Sequence, residues 1–186
     1  MPDNDNPFAT SKLESLPFHF PSGVNWETLI QRIEVHQWCA SIVGGSGSGK
    51  TTLLQQLIPH LEARGFQPVL FRLPAESSMR EKERLADKLR EVEAPGFILL
   101  DGGEQLSTRH WLSVRAAATH AAGFIVTVQR TSRLPVALEL ETSRKLLDAL
   151  VCDLTGGKLP DDETIFHRHR GNLRDCLLEL QNRWAG

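Results

Sequence analysis

The chain lacks any run of about eighteen consecutive apolar residues, the length a membrane-spanning helix needs, and no basic-plus-apolar leader follows Met1. Neither a membrane span nor a signal peptide is expected, and a cytoplasmic location is the expectation. Cysteine is scarce. Cys39, Cys152 and Cys176 are scattered, and two of them fall on apolar runs. They read as buried free thiols in a reducing compartment, not as a disulfide set or a zinc site. Excess charge of one sign is also lacking: the formal net charge is −2, which gives no global attraction to nucleic acid. The one basic cluster, His167-Arg168-His169-Arg170, is short and reads as a solvated turn. There is no internal repeat and no low-complexity tract. What remains is 186 residues with a 40% hydrophobic share, enough for one compact domain with a small appendage.

The most informative segment is Ser41–Thr52, Ser-Ile-Val-Gly-Gly-Ser-Gly-Ser-Gly-Lys-Thr-Thr. Gly44, Gly49, Lys50 and Thr51 fill the pattern G-x-x-x-x-G-K-[ST]. An apolar run, Trp38–Val43, precedes it as expected of a buried strand. After it, Leu53, Leu54, Leu57, Ile58 and Leu61 recur at helical spacing, and Pro59 is expected to kink or end that helix. A glycine-rich turn between a strand and a helix wraps a polyphosphate, because its N–H groups turn inward and the helix N-terminus adds partial positive charge. The candidate phosphate-binding residues are Gly44, Gly45, Ser46, Gly47, Ser48, Gly49, Lys50, Thr51 and Thr52. Lys50 supplies a full charge, and the Thr51 hydroxyl is placed to ligate Mg²⁺. Lys50 itself is expected to face solvent.

A second apolar run, Phe97-Ile98-Leu99-Leu100, ends in Asp101 and is bracketed by Pro95-Gly96 and Gly102-Gly103. Such a strand carries its terminal acid to the sheet edge where ligands of open α/β sheets bind.

With both motifs in place the chain resembles the P-loop NTPase superfamily over most of Trp38–Val128. The resemblance implies that Asp101 is the Walker B acid, holding Mg²⁺ through water. A further buried strand, Gly123–Val128, follows a helix over about Ser107–Ala122. An extra strand between the P-loop and Walker B strands is similar to the branch containing AAA-type, ABC-type and RecA-type ATPases. In that branch Thr127 or Gln129 matches the sensor position that reports on the γ-phosphate. Arg170-Gly171-Asn172-Leu173-Arg174-Asp175 resembles the G-N-h-R-[ED] signature in AAA-type lids, which makes Arg174 a candidate for contact with the γ-phosphate. The expected architecture is a three-layer α/β/α sandwich on a mostly parallel, five-stranded sheet with a small helical C-terminal lid. Its expected divisions are a flexible N-terminal segment 1–15, a P-loop core 16–141 and a lid 142–186.

The departures bear on activity. The catalytic glutamate that AAA and ABC ATPases place directly after the Walker B acid is replaced by Gly102; Glu104 is the nearest acid. It is a candidate for orienting water and equally a helix-start acid. No ABC signature lies between the two motifs, and Leu154-Thr155-Gly156-Gly157-Lys158 reads as a helix stop. No guanine-reading Asn-Lys-x-Asp run is present, so the resemblance favours ATP. The expected function is Mg²⁺-dependent ATP binding, with hydrolysis coupled to an unidentified protein partner, and homo-oligomerisation is compatible with it. The candidate catalytic set is Lys50, Asp101 and Glu104, with Thr51 and Asp101 at the metal. A small-molecule kinase using Arg130, Arg133 and Arg144, and a nucleotide-gated binding module with little hydrolysis, remain open.

Elsewhere, a helix over Asn25–Val35 precedes the P-loop strand, Pro68–Leu73 is a strand, and Ser78–Glu93 is a charged helix expected to bury Met79, Leu85, Leu89 and Val92. Leu134–Leu140 reads as the last strand. Helices over Arg144–Leu154 and from Leu173 through Trp184 would form the lid. Met1–Lys12 is polar and expected to be loose, whereas Phe18 and Phe20 are expected to pack.

Overall fold

The computed structural model describes residues 6–157 and 163–185. Among them the sheet has five strands: β1 (Cys39–Gly44), β2 (Gln67–Arg72), β3 (Gly96–Asp101), β4 (Gly123–Val128) and β5 (Val136–Leu140). Their order is β2-β3-β4-β1-β5, and every pairing is parallel. The extra strand β4 therefore lies between β1 and β3. The sheet is wholly parallel, since each strand before β5 is followed by a crossover that returns the chain to the same end of the sheet.

Both faces of the central strands are covered, which is why β1, β3 and β4 read as largely apolar runs in the sequence, whereas the edge strands β2 and β5 do not. Alternation within each strand divides the core. Ala40, Ile42, Phe97, Leu99 and Ile125 face α2 (Trp26–Val35) and α3 (Lys50–Glu62). Val43, Ile98, Leu100, Phe124, Val126 and Val128 face α4 (Met79–Arg90) and α5 (Thr108–Ala117). The helix starts follow from capping: Asn25 and Ser78 each complete a reciprocal capping box, and Ser107 caps α5. Pro59 lies inside α3, which ends within a turn of it at Glu62; the carbonyl left without its N–H partner belongs to the exposed Gln55. Two expectations need correction. Met79 is 62% exposed. It is the first residue of α4, nearly two turns ahead of the buried stripe formed by Leu85, Ala86 and Leu89. Trp38 lies just before β1 in a left-handed conformation (φ 60°) and is not a strand residue.

The lid consists of α6 (Arg144–Thr155), α7 (Glu163–Arg168) and α8 (Leu173–Ala185). Gly156, left-handed at φ 68°, ends α6, so this stretch is the helix stop expected from the sequence; Lys158 lies outside the described residues. The free thiols are only partly as expected, for Cys176 is buried but Cys152 is exposed on α6. Trp184 of α8 is 54% exposed and makes an edge contact with Phe8, centroids 6.1 Å apart.

The N-terminal segment is the largest departure. Residues 1–5 lie outside the description, but those that follow are not loose. Phe8 is fully buried among Leu147, Val151, Ile165, Leu173, Cys176, Leu177 and Leu180, and α1 (Thr10–Ser15) follows it. Asn6 Nδ2 donates to the Gln181 carbonyl at 3.3 Å. A lone phenylalanine in a polar stretch has no periodicity, so the sequence pattern could not reveal its partner. The burial leads to a prediction: Phe8→Ala should cost about 3–5 kcal/mol of lid stability. Chemical denaturation followed by Trp184 fluorescence measures it, and an unchanged midpoint would contradict the packing.

Candidate functional site

The C-terminal ends of β1, β3 and β4 meet at one edge. Register brings Leu100 level with Val126 and Ile42 level with Thr127, so Asp101 and Thr127 finish side by side. The turn from Gly45 to Gly49 leaves β1 and enters α3 at Lys50. Asp101 sits at the centre. Its Oδ2 accepts from Thr51 Oγ1 at 2.6 Å and its Oδ1 from Thr127 Oγ1 at 2.6 Å. The Thr127 oxygen also accepts from the Gly102 N–H at 3.0 Å. One carboxylate is thus fixed by hydroxyls from two other elements.

Lys50 is buried, 9% exposed, which corrects the expectation of a solvent-facing ammonium. Its Nζ donates to the carbonyls of Gly44 at 2.6 Å and Gly45 at 2.7 Å, so the side chain closes the loop that precedes it. Burial lowers its pKa, while Glu104 and then Asp101 oppose that shift. Glu104 is exposed, on the 3₁₀ turn Gly103–Gln105. Ser48 Oγ is buried with no hydrogen-bond partner among the described residues. Gly45 and Ser46 are exposed at the loop, and Thr52 is half-buried in the first turn of α3.

Gly102 explains the missing acid. It is left-handed at φ 97°, and a β-carbon there would stand 2.3 Å from the Leu73 carbonyl oxygen. No side chain fits without moving the backbone that orients Asp101.

The sensor candidates separate. Thr127 is fully buried and its hydroxyl is committed to Asp101 and Gly102. Gln129 is exposed just beyond β4. Arg174 lies in the first turn of α8, and its backbone nitrogen would be 3.2 Å from a β-carbon added at Gly47. The sequence signature therefore does bring the start of α8 to the loop. The arginines required of a kinase reading are differently placed. Arg133 lies over the Trp111 ring, 5.6 Å from its centroid, and donates to Thr108; Arg144 pairs with Asp148 at 2.8 Å; Arg130 is exposed.

Two contacts escaped the sequence. Gln56 of α3 accepts from the Phe18 N–H at 2.8 Å and donates to the Leu16 carbonyl at 2.7 Å, pinning the incoming chain beside the loop. Phe18 comes within 3.2 Å of a β-carbon built at Gly49. The second is the approach of Asn172 to the loop tip, its Oδ1 1.7 Å from a β-carbon built at Gly47.

Comparison with solved structures gives the same picture. The replication initiator DnaA bound to AMPPCP and single-stranded DNA matches at a TM-score of 0.60 and 16% identity, covering 91% of this chain and 63% of that one. AMPPCP-bound DnaA from Aquifex aeolicus matches at 0.57 and 18%, covering 86% and 61%. The Thermotoga maritima RuvB Holliday junction branch migration motor matches at 0.55 and 16%, covering 85% and 61%. The fold is that of the P-loop ATPases. Within it, β4 between β1 and β3 is the arrangement of the additional-strand branch. This chain spans about three fifths of the length of those P-loop proteins. No protein-family model and no curated protein matches the sequence.

Thr127→Val tests the carboxylate clamp. Valine keeps the shape but leaves the Gly102 N–H and Asp101 Oδ1 without their partner, at an expected cost of about 1–3 kcal/mol. Thr127→Ser should recover most of it in thermal melting, and equal stability of the valine variant would refute the clamp.

Proposed function

We propose that the chain is a Mg²⁺-dependent ATP-binding ATPase domain. The observation that carries this reading is the contact between the hydroxyl of Thr51 and the carboxylate of Asp101, directly beside the Lys50 loop. Two hard oxygens side by side at the phosphate end of α3 suit Mg²⁺, which takes one or two protein oxygens and fills its remaining positions with phosphate and water. No group of three or more His, Cys, Asp or Glu side chains poised for a metal occurs among the described residues, so a fully protein-built metal cage is not the basis of the reading. Thr51 would hold the ion, and Asp101 would hold its water shell. Bound Mg²⁺ supplies neutralising charge on the phosphate oxygens.

The chain's own groups have distinct parts in this reading. Lys50 exchanges its carbonyl partners for phosphate oxygens. Loop N–H groups and the α3 N-terminus stabilise the anion. Thr127 keeps Asp101 in one orientation. Arg174 offers a permanently charged fork from the lid side. Glu104 is the acid available to orient the attacking water, since Gly102 can carry none. The AMPPCP-bound neighbours support a nucleotide as the ligand. The DnaA neighbour was solved with single-stranded DNA. Here Arg168 and His169 of the basic cluster, with Arg183, converge on Glu179. Among the described residues, no helix is long and apolar enough to cross a membrane.

A nucleotide-gated binding module is the second reading, favoured by the left-handed glycine where the catalytic acid is expected. Two variants separate the alternatives. Lys50→Ala removes the charge and leaves the Gly44 and Gly45 carbonyls without their donor; ATP affinity should fall at least about a hundredfold, since the cation is lost from a partly desolvated site. Calorimetric titration measures this, and wild-type affinity in the variant would sink the phosphate-binding assignment. Glu104→Gln should preserve ATP affinity and slow hydrolysis by about a hundredfold if the carboxylate acts on water. Phosphate release from the two proteins at the same rate would favour the binding module.

A further inference from the structure

The chain enters α8 through two successive left-handed residues, Arg170 (φ 51°) and Gly171 (φ 78°). That turn is wedged from behind: a β-carbon at Gly171 would stand 2.9 Å from Thr142 Oγ1 and 3.3 Å from the Phe166 ring. Leu173, Cys176 and Leu177 then anchor the first turns of α8 in the lid core. Asn172 is thrown forward between these anchors. Its Oδ1 accepts from the Asp175 N–H at 3.2 Å, which caps the helix. The same oxygen faces the loop tip, for a β-carbon on Gly47 would lie 1.7 Å from it and 2.6 Å from the carboxamide carbon. Gly47 is itself left-handed at φ 72°. Its lack of a side chain serves the loop's shape and also lets the lid approach.

We infer that Asn172 is a positioning residue that docks the N-terminus of α8 on the P-loop at Gly47, so that one contact sets both the conformation of the loop tip and the place of Arg174. This extends the phosphate-binding reading above. Two helix N-termini, of α3 and α8, face the same loop, and their positive ends add for an anion held between them. A neutral carboxamide suits the junction, since it caps the helix without bringing a negative charge to the phosphate site.

Serine and aspartate cap helices about as well as asparagine, so they separate docking from capping. Asn172→Ser keeps the cap but is too short to reach the loop. In nucleotide-free protein, hydrogen exchange of the peptide spanning residues 44–50 should accelerate at least about fivefold, while the body of α8 stays protected. Exchange at the wild-type rate overturns the docking. Asn172→Asp keeps both size and cap but places a carboxylate at the loop tip. Its melting midpoint should match wild type while its ATP affinity, by calorimetry, falls about tenfold or more through charge repulsion. Wild-type affinity in this variant would also overturn the proposal. If the wild-type protein bound no ATP, the phosphate-binding reading would fail, and the exchange measurement on Asn172→Ser would still decide the docking on its own.

Discussion

The site depends on how one carboxylate is held. Asp101 ends β3 with each oxygen engaged by a threonine, Thr51 from α3 and Thr127 from β4. The three elements have no sequence proximity; parallel register alone brings them together. A one-residue slip in β4 would turn Thr127 to the opposite face and put Val126 or Val128 beside the acid. The buried faces forbid that slip, because Phe124, Val126 and Val128 pack against α4 and α5 on the other side. Core packing thus fixes the clamp, and the clamp fixes the acid. Charge completes the arrangement: Lys50 loses solvation on burial, and Glu104 and Asp101 offset part of that cost.

Much of this was legible in the sequence, for a physical reason. The loop from Gly44 to Thr52 is contiguous, so its chemistry is written in consecutive residues. The strands of a doubly covered parallel sheet are apolar on both sides and stand out as short runs ending in polar residues, as Asp101 and Gln129 do. The order of elements around Gly123–Val128 was enough to expect a strand between β1 and β3. Other features had no local signal. Phe8 finds its partners in α6 and α8, and Gln56 reads as one more polar helix residue although both ends of its amide hold Leu16 and Phe18. The burial of Lys50 follows from its two carbonyl acceptors, not from its type, and lysine is ordinarily exposed. Thr127 was placed correctly at the strand end, but only side-chain geometry reveals that its hydroxyl is committed to Asp101.

The N-terminal segment joins the two parts of the molecule. Asn6 and Phe8 belong to the lid, whereas Leu16 and Phe18 are fastened to α3. From Phe18 an aromatic series continues through Phe20 and Trp26 to His60, which stacks on Trp26 at 4.4 Å. His19 adds a 2.7 Å contact to Asp153 of α6. The lid is therefore tethered on two sides, by this segment and by the connection from β5 to α6. Any rotation of the lid must strain the segment that passes beside Gly49.

Gly102 shows how the acid's orientation constrains the chemistry. Its left-handed backbone aims the N–H at Thr127, which frees the threonine proton for Asp101 Oδ1. A glutamate at this position would require the backbone to leave that conformation and to withdraw from the Leu73 carbonyl. The orientation of Asp101 and an acid directly after it are mutually exclusive in this chain. In the proposed function a carboxylate serving the phosphates comes from farther along, and Glu104 stands on the 3₁₀ turn begun by the two glycines. An acid on a short exposed turn is held less rigidly than one at a strand end. Since water orientation depends on fixed geometry, basal turnover in this arrangement should be slow and open to acceleration by a partner that immobilises the turn.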